Sequence, residues 1–397
     1  MLQLFYFLLL EQLLQGLYSL WQGFGWLSMA RRRTREPGGF YTPRVAVICP
    51  VKDMEPGLED NLTALTNFDY AQYEVFFTIA SADDSAYHLL EEIAANTKRP
   101  VHIVRAGRPK DCGAKVNNLR AAVDQVGNDF EVLVFVDSDG RPPRRWLSRM
   151  VAPLADSRVG VATTYRWLLP RGSGFWSALA SAWNASIATY LGEHSHNFCW
   201  GGGVAIRRDR FEAAHILEAW NGSVSDDYSM TAAIQGSGHS IAFVPECLVA
   251  SPVDLSAGRF FEFTNRQLII TRVYSPNLWL TAGLGHIFYC GAVLLGLGLF
   301  IGNWAVGLPS FQILILAMFP VMIAAVRGVQ RLAAVLELLP EWRDELVRYG
   351  WAWTLLAPLV PFVYLYNTIV AAFTRTITWR GIRYELISSR QTRILAR

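Results

Sequence analysis

The residues in this chain whose types and spacing could do chemistry are two pairs of carboxylates. Asp137 and Asp139 flank Ser138 after the apolar run Val132 to Val136, and Asp226 and Asp227 stand together at the start of a helix running to about Gln235. Alternate residues of an extended chain point the same way, so Asp137 and Asp139 can face one small hard cation, which could clamp a diphosphate. A capped strand end or turn suits the same residues. At the second pair Asp or Ser is the expected N-cap, which gives one carboxylate a structural job by default and leaves the other spare. Lys115, Asn117 and Asn118 open a helix after the basic, turn-rich loop Ala106 to Lys115. Lysine, amides and free helix N–H groups suit phosphate or a nucleotide, and an ordinary exposed loop suits them almost as well. Gly201, Gly202 and Gly203 let the backbone approach a ligand closely, or serve as a hinge.

Positioning these groups requires a sheet whose strands end where they stand. From Arg44 to about Glu246 short β-rich runs alternate with helical stretches, the signature of a mostly parallel α/β sheet. The expected strands are Val45–Cys49, Val75–Ala80, Val101–Val104, Val132–Val136, Val159–Thr163, Gly203–Ile206 and Ile241–Val244, with a helix over Ala114–Val126. An unbroken apolar run that stops at two carboxylates reads as a buried parallel strand, and open α/β sheets bind ligands at such carboxyl ends. The net charge of +3 is too small to suggest a nucleic-acid partner, and the central part holds no Lys/Arg stripe interleaved with aromatics. The five cysteines are widely spaced without a C-x-x-C pair, which argues against a zinc site and a disulfide framework and fits a cytosolic location.

The ends belong to a membrane. Phe5 to Met29 is apolar but carries Glu11, Gln15, Tyr18 and Gln22 along one stripe, as in a spanning helix whose polar stripe faces other helices or an amphipathic helix in the interface. Spanning is favoured, and Arg31, Arg32, Arg33 and Arg35 then place the following domain in the cytosol. Leu284 to Val306 and Phe311 to Val326 are long enough to span. Arg327 to Arg348 reads as an interfacial helix. Tyr349 to Phe373 is broken by Pro358 and Pro361 and reads as a re-entrant or interfacial element or a tight hairpin, which keeps the basic tail cytosolic. The expected division is 1–35, a membrane helix with its arginines; 36–255, the cytosolic domain; 256–280, an amphipathic interface helix; 281–373, a membrane region with the interfacial helix 327–348; and 374–397, a basic tail.

Several motifs then fall in a familiar order. Val47-Ile-Cys-Pro50-Val-Lys52, Phe76 through Asp84, Lys115-Val-Asn117-Asn118-Leu119, Asp137-Ser-Asp139, Gly202-Gly203 through Arg208 and Asp226-Asp227-Tyr228 resemble the series in membrane-bound family 2 glycosyltransferases. The set is similar to the ceramide glucosyltransferase group with its hopanoid-associated bacterial relatives, over roughly Arg44 to Tyr274, and the tail Trp379 to Tyr384 also looks like that group. The resemblance implies a GT-A domain, α/β with a mostly parallel mixed sheet, a UDP-sugar donor, Mg2+ or Mn2+ on Asp137 and Asp139, and a membrane lipid acceptor such as ceramide. It implies Asp227 as the base for the acceptor hydroxyl, with Asp226 beside it, and inversion at the anomeric carbon. Donor contacts are expected from Pro50, Lys52, Asp53, Asp83, Lys115, Asn117 and Asp137. Trp200, Gly202 and Gly203 are acceptor candidates, whereas His194 and His196 are more simply solvated.

Two departures from the group stand out. Its first acidic residue aligns with Ser81, so nucleobase contact passes to Asp83 or to Lys52 and Asp53. Its (Q/R)xxRW motif aligns with Arg266-Gln267-Leu268-Ile269-Ile270, keeping the first position and losing the Arg-Trp pair. Arg266 is the better candidate for diphosphate contact; Arg272, about 120° away on an ideal helix, could replace the missing cation because long side chains can bridge that angle, or serve as a structural interface arginine. A polysaccharide synthase of chitin or hyaluronan type normally uses the missing pair, and a non-catalytic nucleotide- or lipid-binding membrane protein would not need all of Asp137, Asp139 and Asp227. Lipid glycosylation is the favoured reading.

Overall fold

The computed structural model describes residues 1–36, 41–172 and 174–396, which divide into two compact units. The expected domain start at 36 abuts undescribed residues, and Arg397 of the tail lies outside the described residues. One unit comprises residues 33–167, 190–251 and 375–397 and carries the sheet. The other comprises 1–32, 168–189 and 252–374 and is helical.

The strands are β1 (Val45–Pro50), β2 (Tyr73–Ile79), β3 (Val101–Arg105), β4 (Val132–Val136), β5 (Val159–Thr163), β6 (Arg166–Pro170), β7 (Gly203–Arg207), β8 (Ser240–Phe243), β9 (Val249–Val253), β10 (Thr376–Trp379), β11 (Ile382–Ser388) and β12 (Gln391–Ala396). Among the described residues, seven form one sheet in the order β3-β2-β1-β4-β7-β5-β8. Pairing is parallel except where β7 meets β4 and β5. This is the mostly parallel mixed sheet expected from the sequence.

Both faces of the sheet are covered, which is why β1 and β4 read as unbroken apolar runs. Val45, Val47 and Cys49 join Val132, Val134 and Val136 in one core, which also takes Leu58, Leu62, Leu89, Leu90 and Trp146 from flanking helices. Ala46, Ile48, Leu133 and Phe135 point into the other, against Val116, Leu119, Phe211, Met230 and Ile234. The chain passes from β1 outward to β2 and β3 and returns to β4 on the opposite side of β1. That reversal is a topological switch point, and Pro50 and Asp137 stand at it.

The basic tail, given no secondary structure from the sequence, folds in the sheet unit as the antiparallel meander β10-β11-β12. Its alternation explains it. Ile377, Tyr384, Leu386 and Thr392 are buried, whereas Arg383 and Arg393 are exposed. Strands β6 and β9, also unread in the sequence, form a separate two-stranded ribbon.

Leu2–Arg33 is one continuous helix, of which all but Arg33 belongs to the helical unit. Its buried face is not the Glu11, Gln15, Tyr18, Gln22 stripe, because Gln15, Tyr18 and Gln22 are exposed. Phe5, Leu9, Gln12, Gly16 and Gly23 are buried instead. A Cβ on Gly16 would collide with Ile323, and one on Gly23 with Arg327 and Gln330, so small residues let the helices pack closely. Among the described residues, Pro276–Ala305, Phe311–Leu338 and Gly350–Phe373 are long and apolar enough to cross a membrane. The second does not stop at Val326. Arg327, assigned from the sequence to an interfacial helix, is buried and donates to Gln330 Oε1 at 3.2 Å, and the helix runs on to Leu338. The third is interrupted at Ala357–Leu359, around Pro358 as the prolines require.

Candidate active site

Strand β4 delivers Asp137 and Asp139 to the carboxyl edge of the sheet, and the helix Asp226–Gly236 delivers the second pair. Ser225 caps that helix, its hydroxyl accepting from Tyr228 N at 3.3 Å. Neither carboxylate is therefore spent as the N-cap residue. Lys115, one residue into the helix Ala114–Val123, joins the two elements. Its ammonium lies 2.8 Å from Asp137 Oδ1 and 3.1 Å from Asp226 Oδ2, and it donates to the Gly201 carbonyl at 3.0 Å.

The two adjacent aspartates have different surroundings. Asp226 is only 4% exposed, and burial pushes its pKa up to about 6, with Asp227 and Asp137 adding and Lys115 opposing. Asp227 is half-buried; its Oδ1 accepts from Ser225 Oγ and from Tyr228 N, and its Oδ2 accepts from Gly201 N at 3.4 Å. Burial also works against the Asp137 carboxylate, but Lys115, Arg166 and Arg380 outweigh it and hold the group below its usual value. Burial would likewise lower the Lys115 pKa, and Asp137 and Asp226 drive it upward instead.

The glycine run is a close approach. Asp137 N donates to the Gly202 carbonyl at 3.2 Å, and a Cβ on Gly202 would strike the Trp200 ring and lie 2.7 Å from Asp137 Oδ2. On Gly201 a Cβ would collide with Asp226. Gly203 belongs to β7, paired with Val136, and a Cβ there would meet Thr164. Trp200 packs against Tyr165 at 5.5 Å between ring centres, and the Arg166 guanidinium lies 6.0 Å from its ring. Arg166, which no sequence signal marked, also binds Asp139 Oδ2.

A hard divalent ion fits this donor set. Asp137 Oδ2 and Asp139 Oδ1 accept no hydrogen bond from the described residues, and any side chain at Gly202 would press on the first. Among the described residues no third His, Cys, Asp or Glu completes a metal cluster, so Asp137 and Asp139 would hold such an ion as two hard oxygen donors.

The other expected donor contacts divide. Asp53 has φ 57°, and its N–H donates to Asp84 Oδ1 at 2.9 Å, so Asp84 ties the loop after β2 to the loop after β1. Asp83 is exposed, with Ser81 Oγ accepting from its N–H at 3.3 Å. Asn117 spends its amide N–H groups on the Ala106 and Gly107 carbonyls at 3.2 and 3.1 Å, holding the basic loop. Lys52 donates to the carbonyl of Arg380. Arg266 and Arg272 lie on the helix Ala257–Tyr274 of the helical unit. Arg272 donates to the Ala371 carbonyl at 2.7 Å and covers Trp279, while Arg266 lies 4.0 Å from Glu262 and covers Phe263.

The mostly parallel mixed sheet with paired carboxylates at its switch point accords with the GT-A architecture that the sequence resemblance implies, in a chain with membrane-length helices. The model of glycosyl transferase family 21 matches residues 5–392, and the chain belongs to that family. The resemblance to the ceramide glucosyltransferase group is thereby borne out. Similar solved structures include the mannosyltransferase PcManGT from Pyrobaculum calidifontis in complex with GDP-Man and Mn2+, 17% identical over 92% of this chain and 97% of that one, with a TM-score of 0.49. Another is GalNAc-T7 with UDP, GalNAc and Mn2+, 14% identical over 62% of this chain and 52% of that one, TM-score 0.41.

Proposed function

We propose that this family 21 glycosyltransferase moves a hexose from a UDP-sugar to the hydroxyl of a membrane lipid of ceramide type, with inversion, and that its sheet unit is cytosolic. The observation that carries the reading is the Lys115 bridge, which gathers Asp137 and Asp226 into one cluster with Asp227 beside it. One carboxylate pair can then serve the leaving group while Asp227 serves the attacking hydroxyl. Mg2+ or Mn2+ held by Asp137 and Asp139 would supply positive charge for the departing diphosphate. Asp227 accepts the acceptor's proton; the hydroxyl oxygen forms the bond to the anomeric carbon as the bond to the diphosphate oxygen breaks on the opposite face. Gly201 N–H and the Ser225 hydroxyl hold the Asp227 carboxylate in one orientation. Asp226, buried and bound to Lys115, positions the pair.

A lipid acceptor is supported by three helices of membrane-crossing length in the same chain. Arg375, Arg380 and Arg383, which follow the membrane-length helix Gly350–Phe373 and belong to the sheet unit, favour a cytosolic sheet unit. The test is mass-spectrometric comparison of lipids from cells with and without the chain, with a Asp227→Asn control. A hexosylated ceramide-type lipid that needs Asp227 supports the reading; an unchanged glycolipid profile refutes the acceptor assignment.

A further inference from the structure

The tail meander is bonded to three segments that each lie next to a site residue. At the β10–β11 turn, Arg380 Nη1 donates to the Lys52 carbonyl at 3.0 Å, and the guanidinium grips both oxygens of Glu55 at 2.7 and 3.0 Å. Lys52 returns the bond to the Arg380 carbonyl. On β11, the buried Tyr384 hydroxyl accepts from Ala114 N at 3.2 Å, at the start of the helix that carries Lys115. On β12, Thr392 donates to the Gly222 carbonyl at 2.8 Å, four residues before Asp226, and Gly222 is held so close that a Cβ would collide with the Arg390 carbonyl.

The turn itself is out of keeping with its sequence. Trp379 pairs with Ile382, so Arg380 and Gly381 form a two-residue hairpin loop, and both have positive φ, 47° and 77°. Such a loop prefers Asn-Gly, and arginine rarely adopts a positive φ. The residue it faces across the clamp is next to a second non-glycine of positive φ, Asp53, whose N–H is fixed by Asp84. Two such positions, linked through Lys52 by its reciprocal bonds with Arg380, are the pattern of a backbone held against its preference, which recurs at functional sites. The charge of Arg380 also reaches Asp137.

We propose that the C-terminal meander is a wall of the donor site and that Arg380 is a positioning residue for nucleoside diphosphate binding, acting through Lys52 and Asp53. This rests on the sugar-transfer reading above. The clamp fixes the loop after β1, Tyr384 fixes the helix start at Lys115, and Thr392 fixes the approach to Asp226.

Arg380→Asn separates this role from a structural one, because it gives the turn its preferred Asn-Gly sequence while removing the clamp. The full-length chain in detergent, with Mn2+ and UDP or GDP as calorimetric probes, gives the binding readout, and UDP-sugar turnover gives KM and kcat. The expected result for Arg380→Asn is nucleotide binding weakened at least tenfold and donor KM raised by the same factor. Thermal stability is kept and kcat stays within threefold. Glu55→Gln is expected to shift KM in the same direction. Unchanged nucleotide affinity and KM in Arg380→Asn, with wild-type binding intact, would overturn the proposal alone. Failure of the wild-type chain to bind either nucleotide would overturn it together with the sugar-transfer reading.

Discussion

Lys115 Nζ stands 2.8 Å from Asp137 Oδ1, and this contact joins the helix after the basic loop to the end of the central strand β4. The lysine side chain is 14% exposed and that of its second partner, Asp226, 6%. Removing one member of a buried ion pair leaves an uncompensated charge and costs about 3–5 kcal/mol. Lys115→Ala is therefore expected to lower the unfolding free energy by an amount of that order and to abolish turnover. Chemical denaturation of the detergent-solubilised chain measures the first, and a loss below about 1 kcal/mol would contradict the buried pairing.

Asp226 gives this cluster a pH signature. Its folded-state pKa, about 6, lies above the ordinary carboxylate value because burial penalises the charge. The folded state therefore binds a proton that the unfolded chain releases. The stability this group contributes is fully present below about pH 4 and is lost as pH rises through about 6. Asp226→Asn should flatten that part of the stability profile. Denaturation midpoints at intervals between pH 4 and 7, wild type against variant, check the sign.

Gly202 tests the close approach of the backbone to Asp137. Gly202→Ala places a methyl against Trp200 and 2.7 Å from Asp137 Oδ2. Turnover is expected to fall at least tenfold, with a raised Mn2+ requirement. A Mn2+ titration that superimposes on the wild type after scaling would place the glycine's role elsewhere.

Arg272 is expected to matter for folding. It donates to the Ala371 carbonyl at 2.7 Å within the helical unit, and a hydrogen bond from a charged donor contributes about 1.5–3 kcal/mol. Arg272→Ala should lower thermal stability while leaving donor KM within twofold, which initial-rate kinetics on the surviving folded protein would show.

Much of the sheet was legible in the sequence because its strands are short apolar runs ending in turn residues, and covered parallel strands give an unambiguous signal. Asp137 and Asp139 could be found for the same reason, since they sit where such a run stops, whereas Lys115 is marked by the basic loop before its helix and the glycines by their succession. Arg166 could not be found, because its meeting with Asp139 depends on how β6 is placed and leaves no local pattern. The meander is masked differently: its alternation at Arg383, Tyr384, Glu385 and Leu386 is present, but six arginines give the segment the composition of a charged tail. The helix Phe311–Leu338 was cut short at Arg327 because burial of an arginine depends on Gln330 and its neighbours.

The central claim is that Asp227 takes the acceptor's proton in a sugar transfer supported by Asp137 and Asp139. Its most direct test is UDP release from UDP-sugar by the purified chain with ceramide and Mn2+, comparing wild type, Asp227→Asn and Asp139→Ala. The account predicts release that requires the metal, falls about 10²–10⁴-fold in Asp227→Asn with UDP binding retained, and is lost in Asp139→Ala. Equal turnover in wild type and Asp227→Asn would contradict it.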